Sequence, residues 1–226
     1  MANSDFLRKN KNQHGIKNTI SKKMEGDIDV VLQKLLTYLR KKYPALIFEH
    51  KKQLYLTEIV SNLAKQYPQY VKDFSTVMNK SYIKPDGGFL YATDKKENKK
   101  LILVAEVKRQ GTNDKRATEG LAKQAKGNAI ERLGKNLTGV RAIFKKESMI
   151  PFVCFGSGHD FQGGSTILDR VVTMNDFFPL NKVFVEKEHL PFEPVSLFFR
   201  YKDWSTEEMM IILTDVAEEA IKYHFS

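Results

Sequence analysis

The sequence predicts an α/β fold, a mixed central β-sheet flanked by helices. Three observations lead there. Two stretches with helical apolar spacing, DVVLQKLLTYLRKKYP (29–44) and LTEIVSNLAKQYP (56–68), each stop at a Tyr-Pro pair, where proline disfavours a continuing helix. The period then changes from helix to strand in GFLYAT (88–93) and LILVAEVK (101–108), which flank DKKENKK, a polar hairpin tip. Beyond that hairpin come a helical pattern, three apolar strand-like runs and a closing helix, the order expected of a sheet covered by helices.

Each element has its own justification. Residues 1–26 carry six Lys/Arg against two acids and little periodicity, so they are expected to form a basic flexible arm. Residues 27–226 are expected to form a single α/β domain. At 226 residues and 42% hydrophobic content, the chain can bury a full core without covalent staples. GTNDKRATEGLAKQAK (111–126) is polar and reads as an exposed loop. GNAIERLGKNLTGVRAIFKK (127–146) is a helix whose Ile130, Leu133, Leu137, Val140 and Phe144 step by three and four. IPFVCF (150–155), NKVFVE (181–186) and VSLFFRY (195–201) read as strands. STEEMMIILTDVAEEAIKYH (205–224) begins with the Ser-x-x-Glu signature of a capped helix.

The single cysteine, Cys154, excludes a disulfide framework and sits in an apolar run, so it is expected to be a small core residue in a reducing, cytoplasmic setting. No stretch has the apolar length of a membrane span, and no membrane association is expected. Net charge is +10, which suits a polyanion. The charge is uneven. Residues 186–226 hold four Lys/Arg and nine Asp/Glu, a net of −5, which leaves +15 in residues 1–185. This charge favours nucleic acid as a partner, and the arm reads either as a solvated tail or as a strap that orders on DNA phosphates.

Strand LILVAEVK ends in an acid and a base. If the hairpin turns about residue 96, Asp86 falls opposite Glu106, and Glu106 and Lys108 share one face because strand side chains alternate. Two carboxylates facing across a strand pair raise each other's pKa unless a cation lies between them. Mg²⁺ takes one or two carboxylates and completes its shell with water and phosphate oxygens. Asp86 and Glu106 are therefore the expected metal ligands, and Lys108 the base that orients water and offsets charge on a phosphorane. The pattern is short, and a turn closed by Asp86 with an exposed Glu106–Lys108 pair would also produce it. In the helix that follows, Asn128 and Arg132 lie four apart on the side away from the apolar stripe. Both are suited to purine edges in a major groove, although Asn128-x-x-Glu131 would equally serve as a capping box.

Taken in order, KPDGG, LVAEVKRQG and AKGNAIER resemble the EcoRI-type restriction endonucleases, within the PD-(D/E)XK nuclease superfamily, over about residues 80–160. The resemblance implies a restriction-endonuclease-like fold and a Mg²⁺-dependent centre of Asp86, Glu106 and Lys108. It further implies that Asn128 and Arg132 read the adenines of a central AATT, with Glu131 orienting the arginine and linking two subunits, and that Ala129 lies at the DNA. Lys126 falls where relatives with different outer base pairs differ, and Arg170 matches a position near the recognition site. The implied protein is a homodimeric type II restriction endonuclease cutting a palindromic site to leave 5′ overhangs, paired with a cognate adenine methyltransferase. GAATTC is the first choice of site, with AATT alone and CAATTG open. A structure-specific repair or junction-resolving nuclease would use the same acid-acid-base core, and a non-catalytic DNA-binding protein would use the basic field alone.

Overall fold

A computed structural model of the chain describes residues 11–69, 80–111, 118–121, 129–143, 149–158, 161 and 195–226. Helix α1 (Lys11–Lys42) places Met24, Ile28, Val31, Leu32, Leu35, Leu36 and Leu39 in the core, a stripe stepping by three and four. The amide of Tyr43 closes its last turn on the Leu39 carbonyl at 2.8 Å, just before Pro44. Strands β1 (Ile47–Lys51), β4 (Gly88–Thr93), β5 (Lys99–Arg109), β6 (Phe152–Ser157) and β7 (Ser196–Arg200) form one sheet in the order β1-β4-β5-β6-β7. The β1–β4 and β4–β5 pairings are antiparallel, and β5–β6 and β6–β7 are parallel. Strands β2 (Leu54–Tyr55) and β3 (Tyr82–Ile83) make a separate pair beside helix α2 (Leu56–Gln66).

Helices cover both faces. Helix α1 and helix α4 (Thr206–Phe225) pack on one face, against Leu103, Ala105, Val107, Val153 and Phe155. Helix α3 (Ala129–Ile143) packs on the other, where Leu133, Leu137 and Val140 meet Val104, Phe152, Cys154 and Leu197. Strand β6 is buried along its whole length, as a parallel strand covered on both sides must be. The expected capping box is present at α4: Ser205 Oγ accepts from the Glu208 amide at 3.2 Å, and Glu208 Oε2 accepts from the Ser205 amide at 2.9 Å. Among the described residues no helix is long and apolar enough to cross a membrane.

Two expectations change. The arm assigned to residues 1–26 is helical from Lys11 onward and continuous with α1, and Met24 is buried where the Ser157 hydroxyl approaches its sulfur at 3.3 Å. Met24 and Ile28 extend the core stripe one turn earlier than the polar sequence around them indicates; residues 1–10 lie outside the described residues. The edge strand β1, IFEHK, was not expected. It is short and charged, as edge strands that resist further pairing are, and pairing with β4 is what fixes it. The strand expected at 181–186 lies outside the described residues.

Candidate active site

The β4–β5 hairpin differs from the regular one in a way that sets the face of the site. Thr93 pairs with Lys99 and Tyr91 with Leu101, as a turn about residue 96 requires, but Leu90 pairs with Leu103, leaving Ile102 as the extra residue of a β-bulge. Ile102 and Leu103 both join the core under α1 and α4. The alternation resumes one step out of phase, so that Val104, Glu106 and Lys108 turn toward α3. Unbroken alternation from Leu101 would have put Glu106 on the opposite face.

The shifted register also means that Asp86 is not squarely opposite Glu106. The chain turns at Gly87-Gly88, where the Gly87 amide donates to the Ala105 carbonyl at 2.9 Å and Gly88 takes a φ of +78°. That turn brings Asp86 back to the end of β5. Its amide donates to Glu106 Oε2 at 3.2 Å, and its Oδ2 accepts from the Val107 amide at 3.3 Å and from Lys108 Nζ at 2.7 Å. His50 on β1 lies 2.7 Å from the Gly87 carbonyl through Nε2, bracing the turn from the other side.

Lys108 is the hub. Its ammonium contacts Glu106 Oε1, Asp86 Oδ2 and, at 3.0 Å, the Val107 carbonyl. Three protein oxygens thus face one positive charge. Glu106 has no solvent exposure, and the Lys108 side chain is 12% exposed. Burial pushes the Glu106 carboxyl up to about 7, against the pull of the Lys108 ammonium and with a further push from Asp86. Burial alone would lower Lys108, but the Glu106 and Asp86 charges outweigh it and hold the ammonium above the ordinary lysine value. Cys154, beside Glu106 on β6, is fully buried with its thiol pushed up by burial, consistent with a core residue.

Among the described residues no three His, Cys, Asp or Glu side chains cluster as a metal cage. The donor set still fits a hard divalent cation, because a cationic atom already sits among two carboxylates and a carbonyl, and Mg²⁺ needs no more from a protein. The Asp86, Glu106 and Lys108 expected to meet do so. The Val107 carbonyl escaped the sequence reading because main-chain oxygens carry no residue-type signal. Asn136 escaped it as well: on α3, its Nδ2 donates to Glu106 Oε1 at 3.2 Å. Its four-residue spacing from Arg132 was visible, but which strand α3 would cover was not.

Of the residues expected at DNA, Arg132 is exposed on α3, one turn before Asn136. Ala129 and Glu131 lie in the first turn of α3, where their side chains are outside the described residues. Lys126, Asn128 and Arg170 lie outside them altogether.

The family model described as Restriction endonuclease EcoRI matches residues 10–166. The chain is 25% identical over 236 residues to the type II restriction enzyme EcoRI of Escherichia coli, covering 87% of this chain and 83% of that one. It is likewise 25% identical over 238 residues to the type II restriction enzyme RsrI of Cereibacter sphaeroides, covering 89% and 85%. Together with the mixed sheet, these matches define a type II restriction endonuclease, a site-specific deoxyribonuclease that binds double-stranded DNA. The chain belongs to the EcoRI restriction endonuclease family.

Proposed function

We propose that the protein is a homodimeric, Mg²⁺-dependent endonuclease that cuts both strands of a palindromic site containing AATT, with GAATTC the first choice, and leaves 5′ overhangs. The observation that carries the catalytic part is the convergence of Asp86, Glu106 and the Val107 carbonyl on the Lys108 ammonium, on the sheet face that α3 covers. When bound, a divalent cation supplies charge for the scissile phosphate and acidifies an attacking water. Asp86 and Glu106 hold that cation, and the carbonyl of Val107 adds a neutral oxygen. Lys108, exchanged out of its position between the carboxylates, donates hydrogen bonds to the attacking water and to the charge that develops on the phosphorane. Burial of Glu106 keeps bulk water from competing for these contacts.

For recognition, Asn128 and Arg132 read the adenines of AATT, with Glu131 orienting Arg132; Ala129 lies at the DNA, Lys126 bears on the outer pair, and Arg170 acts near the recognition site. One catalytic centre per chain and a palindromic site call for a two-fold dimer, and the charge of +15 over residues 1–185 favours its approach to DNA. A cytoplasmic setting beside an adenine methyltransferase that protects host sites follows from the same reading. The test is cleavage of a plasmid of known sequence with Mg²⁺, the ends being mapped, by the native chain and by Glu106→Gln. Staggered ends at AATT-containing palindromes, together with an inactive variant that still binds the site, are expected; undiminished cutting by Glu106→Gln removes the catalytic assignment, and ends scattered over unrelated sequences remove the site assignment.

A further inference from the structure

Every oxygen of the buried Glu106 carboxylate is engaged, and the partners come from three different parts of the fold. Oε2 accepts from the Asp86 amide at 3.2 Å; Oε1 is shared between Lys108, its neighbour on β5, and the amide nitrogen of Asn136 on α3, at 3.2 Å. Of these, Asn136 belongs to the helix whose exposed Arg132 stands one turn away on the same flank. Leu133 and Leu137, on either side of Asn136 in sequence, are fully buried against Phe152 and Cys154, so the amide cannot drift without moving the helix.

We infer that Asn136 is a positioning residue that ties the seating of the DNA-reading helix to the orientation of the catalytic carboxylate, an inference resting on the functional reading above. Lys108 cannot both neutralise Glu106 and donate to the reacting groups. When its ammonium turns outward, Oε1 loses its charged partner, and the Asn136 amide is the donor left on that oxygen to keep the carboxylate aimed, as the Asp86 amide does on Oε2. A hydrogen bond to a charged acceptor falls off steeply with distance and angle. A small displacement of α3 on an incorrect DNA sequence therefore weakens Glu106 as a ligand, and discrimination appears in the cutting step as well as in binding.

The experiment compares Asn136→Ala and Asn136→Asp with the native chain and with Glu106→Gln as control. Three quantities are measured: binding to site DNA without metal, Mn²⁺ binding to the enzyme–DNA complex by electron paramagnetic resonance, and single-turnover cleavage. Asn136→Ala is expected to bind site DNA within about threefold of the native chain, to bind Mn²⁺ roughly tenfold more weakly and to cut about ten- to a hundredfold more slowly. Asn136→Asp keeps the shape but sets a like charge against Glu106, and should be worse than Asn136→Ala in Mn²⁺ binding and rate at equal DNA affinity. The inference is overturned by native rates and Mn²⁺ affinity in Asn136→Ala, by loss of metal-free site binding in step with cleavage, or by loss of the folded state in both variants, which would make Asn136 a packing residue. An active Glu106→Gln would instead bring down the reading on which the inference rests, whatever Asn136 does.

Discussion

Replacing Gly87 with alanine tests how tightly the site is built. A Cβ placed on Gly87 would lie 2.7 Å from the Cβ of Ala105, 2.9 Å from Cδ1 of Leu32 and 3.0 Å from the Ala105 carbonyl oxygen. Nonbonded carbons rest about 3.5–4.0 Å apart, so the shortfall is roughly 1 Å against the first two. Leu32 is a flexible side-chain end and can rotate, at a cost in the α1 core. Ala105 cannot yield without β5, and the hydrogen bond from the Gly87 amide to its carbonyl ties the two backbones together. The segment carrying Asp86 must therefore shift outward. Overpacking of this kind costs about 1–3 kcal/mol. At about 2–4 °C per kcal/mol for a chain of this size, the melting temperature should fall by roughly 2–12 °C. The larger effect is on chemistry: a shift near 1 Å in a group that must meet Glu106 and Lys108 should slow single-turnover cleavage about a hundredfold. Adding Ala105→Gly removes the Cβ–Cβ clash but not the other two contacts, so it should restore part of the rate. Native melting and native cleavage in Gly87→Ala would refute the close approach and the positioning argument built on it.

Other perturbations separate reading from cutting. Arg132→Ala is expected to reduce the ratio of site to non-site binding by about ten- to a hundredfold with little change in melting temperature, since the side chain is exposed; unchanged discrimination in competition binding would return Arg132 to an ordinary surface role. Glu106 must be ionised to hold a cation, and burial has pushed it up to about 7, so at low Mg²⁺ the cleavage rate should rise with pH through about 7, and saturating Mg²⁺ should move that rise to lower pH; a midpoint indifferent to Mg²⁺ would point to another group. The same raised value has a consequence for stability. Its contribution is fully present below the ordinary glutamate pKa and is lost as pH climbs through about 7, so the melting temperature of Glu106→Gln minus that of the native chain should be more favourable at pH 8 than at pH 5.

Local signals in the sequence carry the helix ends at Tyr43-Pro44 and Tyr67-Pro68, the hairpin and the capped α4, because proline, alternation and a capping box act within a few residues. The three charged side chains were legible for a similar reason: an acid and a base on one face at the end of an apolar strand are conspicuous. What was illegible depends on partners distant in sequence. Strand β1 has too few apolar residues to announce itself and exists because β4 offers it hydrogen bonds. The N-terminal part of α1 looks polar, but Met24 and Ile28 find a core that only the folded sheet provides. The bulge at Ile102 is invisible in LILVAEVK, since every residue there is apolar up to Glu106 and either face would accept them.

That bulge decides more than register. Had alternation run unbroken from Leu101, Glu106 and Lys108 would have turned to the opposite face, among Leu32, Leu35 and Met209 and under two helices, away from the Asp86 turn and the α3 amide that now satisfy the buried acid. One extra residue rotates the pair to the face on which α3 lies, where Asn136 and the Asp86 turn complete its hydrogen bonding. The same rotation sets the acids beside the helix that carries Arg132, held there by the packing of Leu133 and Leu137 on Cys154, the residue paired with Glu106. Under the proposed function, recognition and hydrolysis share one framework, in which the helix cannot change its seat on the sheet without changing what surrounds the buried carboxylate. On the proposed reading, selective cutting in such a framework requires no separate signalling element, because the distance between the helix proposed to read DNA and the acid would itself be the signal.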